Sequence, residues 1–150
     1  MLTCATLALG LPTAATAEPN PPVWPSSVRV FAPTDTDISA VVQAAYAKNG
    51  GHTPAFHGQF SADRFAFLFK PGTYTVDVPV GFYTSLHGLG ASPDDVVFTS
   101  AKGVYCEEGD YAATGGALDN FWRIAENFRS SATFKWSTGV GMLWAVSQAA

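Results

Sequence analysis

Hydrophobic positions along the chain change their spacing near residue 65. Upstream, Ile38, Val41, Val42 and Ala45 fall at i, i+3, i+4 and i+7 behind Asp35-Thr36-Asp37, which supplies N-cap oxygens. That spacing predicts a short amphipathic helix over about 37–48, stopped by Asn49-Gly50-Gly51. A strand, Val28-Arg29-Val30-Phe31, leads into it. Downstream, Phe65-Ala66-Phe67-Leu68-Phe69 is a continuous apolar run closed by Pro71-Gly72, as expected of a strand covered on both faces. Tyr74, Val76, Val78 and Val80 then alternate with Thr75, Asp77 and Pro79. They predict a half-buried strand whose proline needs an edge or an unpaired position. Shorter runs follow at 82–86, 96–98, 117–124, 132–136 and 142–146. Turn chemistry separates them at Gly88-Leu89-Gly90, Ser92-Pro93-Asp94-Asp95, Gly115-Gly116 and Ser137-Thr138-Gly139.

One helix followed by many short strands limits the architecture to a sandwich, a barrel or a solenoid. The runs are not joined by two-residue Asn-Gly or Asp-Gly turns, which counts against a meander of hairpins. A coil of parallel strands fits better. Each turn of such a coil buries its inward side chains on the next, and the helix is placed to cover the open first turn.

Residues 1–17 are uncharged, apolar from Leu2 to Leu11, and end in Ala15-Thr16-Ala17 ahead of Glu18. This is the apolar core and small-residue cleavage pattern of a secretory signal, without its basic start. Residues 18–34 hold Pro19, Pro21, Pro22, Pro25 and Pro33 and read as an extended linker. Export leaves Cys106 as the remaining thiol. An unpaired cysteine in an oxidising compartment points to a partner outside the sequence, and Glu107, Glu108 and Asp110 beside it disfavour a thiolate nucleophile.

Composition sharpens this reading. Charged residues make up 13% of the 150, against about a quarter in an ordinary soluble domain. The net charge is −4 and the eight Lys and Arg are scattered, which excludes a nucleic-acid footprint. No apolar run approaches the roughly 20 residues of a membrane helix. The low charge, the lone Cys106 and the final apolar run at 142–146, with no turn or cap after it, lead us to expect the N-terminal part of a longer protein.

Three segments carry a resemblance: Asp37-Ile38-Ser39-Ala40-Val41-Val42-Gln43-Ala44-Ala45, Phe67-Leu68-Phe69-Lys70-Pro71-Gly72-Thr73-Tyr74 and Leu86-His87-Gly88-Leu89-Gly90. They resemble the opening of secreted proteins of the pectate-lyase-like superfamily. The stretches 117–123 and 144–150 are similar to later turns of a subgroup of secreted microbial members. The resemblance spans about residues 28–150. It implies an all-β fold: the first coils of a right-handed single-stranded parallel β-helix, with an N-terminal capping α-helix, over residues 35–150. The superfamily holds polysaccharide lyases, glycoside hydrolases, epimerase-like enzymes and non-catalytic adhesins, so fold analogy does not choose the reaction. The expectation is a secreted protein that binds or cleaves an extracellular polysaccharide or cell-wall glycan; the alternative is a non-catalytic surface or adhesion protein on the same scaffold. Its catalytic groups are expected mostly beyond Ala150.

Within 117–125, Leu118, Asn120, Trp122 and Ile124 share one face, and Asp119, Phe121, Arg123 and Ala125 the other. If the first face is inward, Asp119 and Arg123 flank Phe121 on an open surface where a sugar ring could stack and its hydroxyls be held. The alternative is a surface ion pair beside a lateral aromatic. Asp94-Asp95 has turn composition rather than the geometry of a catalytic carboxylate pair. Glu107, Glu108 and Asp110 offer Ca²⁺ acidic oxygens without the ordered loop of a dedicated site, so no cofactor is assigned. His52, His57 and His87 form no zinc pattern. Trp24 and Trp136, near polar or proline-rich neighbours, are the better candidates for exposed stacking surfaces.

Overall fold

A computed structural model describes residues 22–50, 58–106, 122–136, 139–141 and 144. Strand β1 (Val28–Phe31) precedes helix α1 (Ile38–Asn49). There follow β2 (Phe65–Phe69), β3 (Gly72–Tyr74), β4 (Val78–Pro79), β5 (Thr84–Gly88), β6 (Val96–Phe98) and β7 (Val104–Tyr105). The last described strands are β8 (Ile124–Glu126), β9 (Arg129–Ser130), β10 (Lys135–Trp136) and β11 (Gly139–Val140). The result is an all-β arrangement of mostly parallel sheets with one α-helix.

Three sheets are built entirely from parallel pairs, in the orders β1-β2-β5-β8, β3-β6-β9 and β4-β7. The chain visits them in rotation: β2, β3 and β4, then β5, β6 and β7, then β8 and β9. Only β10 and β11 pair antiparallel among the described strands. The register Phe67↔Leu86 and Leu86↔Ala125 stacks inward residues of successive circuits directly upon one another. Phe31, Phe67 and Phe69 of the first sheet meet Tyr74 and Phe98 of the second and Val78 and Val104 of the third in one buried cluster. Phe69 sits at its centre, with ring centroids 5.1 Å from Phe31, 4.9 Å from Tyr74 and 5.0 Å from Phe98. The contacts with Tyr74 and Phe98 are edge-to-face and add to the free energy of burial.

Strand β2 departs from the expectation of cover on both faces. Phe67 and Phe69 are buried, whereas Ala66 and Leu68 are half-buried, because only one face of this sheet packs on the core cluster. The predicted proline constraint is met. Val78 and Val80 donate their N–H groups to Gly103 and Tyr105 (2.8 and 2.9 Å). Pro79, between them on an edge strand, stands where the ladder to β7 asks for no donor.

Helix α1 begins and ends one residue later than the spacing predicts. Ile38, Val42 and Ala45 are buried on the core. Asp37 is the N-cap, but its carboxylate makes no cap bond and accepts from Arg29 Nη2 at 2.8 Å instead. At the other end the fully buried Asn49 makes a reciprocal clamp. Its carbonyl accepts the Phe82 N–H (2.6 Å), and its Nδ2 donates to the carbonyls of Phe82 (2.9 Å) and Asp63 (3.1 Å). A Cβ on Gly81 would strike the Asn49 carbonyl, so only glycine leaves room for the clamp.

Asn49→Ala removes both side-chain donations while the Phe82 carbonyl keeps Thr84 Oγ1 (3.2 Å) and the Asp63 carbonyl keeps Arg64 Nη1 (2.8 Å). The loss is expected to cost about 0.5–1.5 kcal/mol for each bond, read from the midpoint of urea unfolding. Gln43→Ala, on the exposed side of the same helix, should stay within about 0.5 kcal/mol.

Candidate functional site

The side of the first sheet gathers the chemistry that the described residues present. Extending the registers one step before the β2–β5 ladder and two steps before the β5–β8 ladder places Arg64, Tyr83 and Trp122 in one column. Tyr83 and Trp122 have left-handed backbones, φ 53° and 58°, a conformation that costs a bulky residue on the order of 1–3 kcal/mol. Backbone bonds hold them there: Phe65 N–H donates to the Tyr83 carbonyl (3.1 Å) and Tyr83 N–H to the Trp122 carbonyl (2.8 Å). The Tyr83 and Trp122 rings lie 5.2 Å apart at 12°. The Arg64 guanidinium stands 3.7 Å from the Tyr83 ring centre, so the phenol ring lies between a cation and an indole. Arg64 Nη1 also donates to the carbonyls of Ser61 and Asp63, each at 2.8 Å, and the Tyr83 hydroxyl donates to Gln59 (2.6 Å).

Across 122–125 the expected alternation holds, but the face shared by Trp122 and Ile124 is the outer one. Trp122 and Ile124 are exposed, at 45% and 52%, and Ala125 packs against the core. Arg123 follows the parity of Ala125. Its Nη1 donates to the Val80 carbonyl (2.8 Å) and contacts Cys106 Sγ (3.1 Å), and its guanidinium lies 4.7 Å from the centre of the Phe82 ring. The condition that Trp122 and Ile124 face inward is therefore not met. Asp119 and Phe121, the other two expected substrate-binding residues, lie outside the described residues, as do His52, His57, Glu107, Glu108 and Asp110. Cys106 is fully buried and forms a parallel bridge with Trp144.

On the outer face of the same sheet, His87 and Glu126 are register partners joined by a 2.7 Å contact between Nδ1 and Oε1. Both are accessible, so the pair adds little stability; its place beside Ile124 matters more. Asp94 and Asp95 act separately. Asp94 pairs with Arg129 Nε (3.2 Å), and Asp95 caps the turn Pro93–Asp95 by accepting from Ser92 N–H (2.9 Å). Trp24 is 51% exposed. Among the described residues no group of three or more His, Cys, Asp or Glu converges on a metal position.

An open cleft of about 370 Å³ lies between the start of α1 and the segment after β3, lined by Asp35, Ser39, Gln43, Thr73, Tyr74 and Asp77 among others. Its polar groups are largely committed to the fold. Asp77 Oδ1 accepts the N–H groups of Lys102 (2.8 Å) and Gly103 (3.1 Å), and Asp35 Oδ2 that of Ala32 (2.8 Å). The Tyr74 hydroxyl shares its proton between the carbonyls of Lys70 (2.7 Å) and Phe31 (3.1 Å).

No family model matches the chain. Its similarities are to glucan-cleaving enzymes. Over 125 residues it is 40% identical to an exo-β-1,3-glucanase of Streptomyces sp. (strain SirexAA-E / ActE), an overlap of 83% of this chain and 18% of that protein. The structure of sacteLam55A from Streptomyces sp. SirexAA-E superposes with a TM-score of 0.59 at 38% identity. A variant of sacteLam55A in complex with glucose gives 0.58 at 37%. Both superpositions cover 72% of this chain and 18% of the other. The chain thus spans less than a fifth of the relatives it matches.

Sequence reasoning missed the Arg64, Tyr83 and Trp122 column. Arg64 and Tyr83 stand immediately before β2 and β5 and Trp122 two residues before β8, so the column becomes visible only once the β5–β8 register is known. Nothing in the sequence marks Tyr83 or Trp122 as left-handed.

Burial, with the nearby Asp35 carboxylate adding to it, pushes the Tyr74 hydroxyl up to about 12 from its ordinary value of 10.0. Because the folded value lies above the unfolded one, the stabilisation is complete below about pH 10 and is lost as the pH rises towards 12. Absorbance titration at the phenolate band should show one tyrosine ionising after the others, and Tyr74→Phe should remove that late step.

Proposed function

We propose that the chain forms coils of a secreted right-handed parallel β-helix protein that hydrolyses an extracellular β-1,3-glucan. The observation that carries this reading is the 40% identity to an exo-β-1,3-glucanase over 125 residues. The rotation of the chain through three parallel sheets supports the β-helix part, as does the resemblance of the capping and corner segments to the pectate-lyase-like superfamily. Residues 1–17 act as the export signal, 18–34 as the linker, and 35–150 as the cap and first coils.

Substrate chemistry separates the two reactions that the superfamily offers. β-Elimination needs a proton made acidic by a neighbouring carboxylate, as in a uronic acid. Glucose carries a hydroxymethyl group at that position, so a β-1,3-glucan leaves hydrolysis by a carboxylic acid and a carboxylate. Asp119 and Phe121 are the substrate-binding residues of this proposal, and Arg123 is a positioning residue. Arg123 contributes by holding Trp122 and β8 against Val80, Phe82 and Cys106.

The test is incubation of the full secreted protein with β-1,3-glucan, β-1,4-glucan and polygalacturonate, following reducing ends and the absorbance of unsaturated uronides. Reducing ends from β-1,3-glucan without unsaturated product are expected. Release of unsaturated uronides, or no release from any polymer, would refute the reading; binding without release would favour the non-catalytic scaffold.

A further inference from the structure

The column that ends in Trp122 combines an unusual backbone with an exposed indole. Two bulky aromatic residues are held in left-handed conformations, and the rings so placed are nearly parallel. Strained backbone in non-glycine residues concentrates where a side chain must be aimed. Here the strain aims Trp122 outward while Arg123 beside it turns to Val80 and Cys106.

We infer that Trp122, backed by Tyr83 and Arg64, is a stacking platform for a neutral β-linked glucose ring. This rests on the β-glucan reading above and names the ligand surface that the reading would use. A β-glucopyranose chair carries its hydroxyls around the rim and presents C–H bonds on both faces, which suits a flat aromatic surface. The platform is rigid before any ligand arrives. Tyr83 is fixed by its hydroxyl bond to Gln59 and by Arg64, and Arg64 by the carbonyls of Ser61 and Asp63. Little rotamer freedom is left to lose on binding.

The same row continues along β8. Trp122, Ile124 and Glu126 alternate outward, and Glu126 is tied to His87. At about 3.3 Å per residue the row is about 13 Å long, room for more than one sugar ring, with an apolar start and a carboxylate at the far end to accept hydroxyl protons. A polyanionic chain is disfavoured. The guanidiniums of Arg64 and Arg123 are engaged with protein carbonyls and aromatic rings, and the charge at the end of the row is that of Glu126.

The experiment labels the full protein with 5-fluorotryptophan, assigns the Trp122 resonance by its loss in Trp122→Phe, and titrates with a β-1,3-linked gluco-oligosaccharide. A saturable shift of the Trp122 resonance is expected, with Trp24 unmoved. Trp122→Ala should weaken binding about fivefold or more. The fluorine titration of the unmutated protein decides the matter even if that variant does not fold. Binding measured by calorimetry with a stationary Trp122 resonance would overturn the platform while leaving the glucan reading intact. A shift in a protein that releases no sugar would support the platform and overturn the hydrolase. No binding at all, or a larger shift with oligogalacturonate, would overturn the platform.

Discussion

Parallel pairing in a three-sheet rotation imposes one constraint from which the rest of the structure follows: each inward side chain must pack on its register partner one circuit away. Phe67 on Leu86 and Leu86 on Ala125 are such partners, and the rings of Phe31, Phe69, Tyr74 and Phe98 meet where the sheets converge. Among the described strands β3 and β4 have no partner on their first side, so the apolar face there is closed from outside the ladders. Helix α1 does this with Ile38, Val42 and Ala45, and the Asn49 clamp on Phe82 fixes the end of the cap to the start of the next circuit.

The same constraint explains the corners. At Gly88 a Cβ would collide with the Asn127 carbonyl of the following circuit. Asn127 in turn adopts a left-handed backbone, φ 57°, and its Nδ2 donates to the carbonyls of Gly88 (2.8 Å) and Gly90 (2.9 Å). Asparagine tolerates that conformation; tyrosine and tryptophan do not, which makes the backbones at Tyr83 and Trp122 informative. The two ends of the same pair of strands are thus held differently, one by ring stacking and one by hydrogen bonding.

Much of this organisation is legible in the residues, and the failures have local causes. The strands at Val28–Phe31, Phe65–Phe69 and Val96–Phe98 appear with the expected bounds, the last two as continuous apolar runs. Strands β7 and β9 have two residues each, too few for any periodicity to register. The run expected at 82–86 appears as Thr84–Gly88 because the left-handed Tyr83 delays the ladder. Along β8 the alternation holds, but the pattern alone does not say which of its two faces is inward, and Trp122 and Ile124 face out. Side-chain commitments are the least legible: Asp37 turns from its cap to Arg29, and Arg123 from an open surface to Val80, because the deciding partner is remote in sequence.

The parallel register is the claim on which cap, core and platform all rest, and nuclear Overhauser contacts between backbone protons test it directly. Parallel strands keep α-protons of neighbouring strands apart, whereas antiparallel strands bring them face to face at non-hydrogen-bonded pairs. Contacts between amide and α-protons linking Phe67 with Leu86 and Leu86 with Ala125, without close α-proton pairs across those strands, are the expected result. Strong α-proton pairs between β2 and β5, or between β5 and β8, would contradict it.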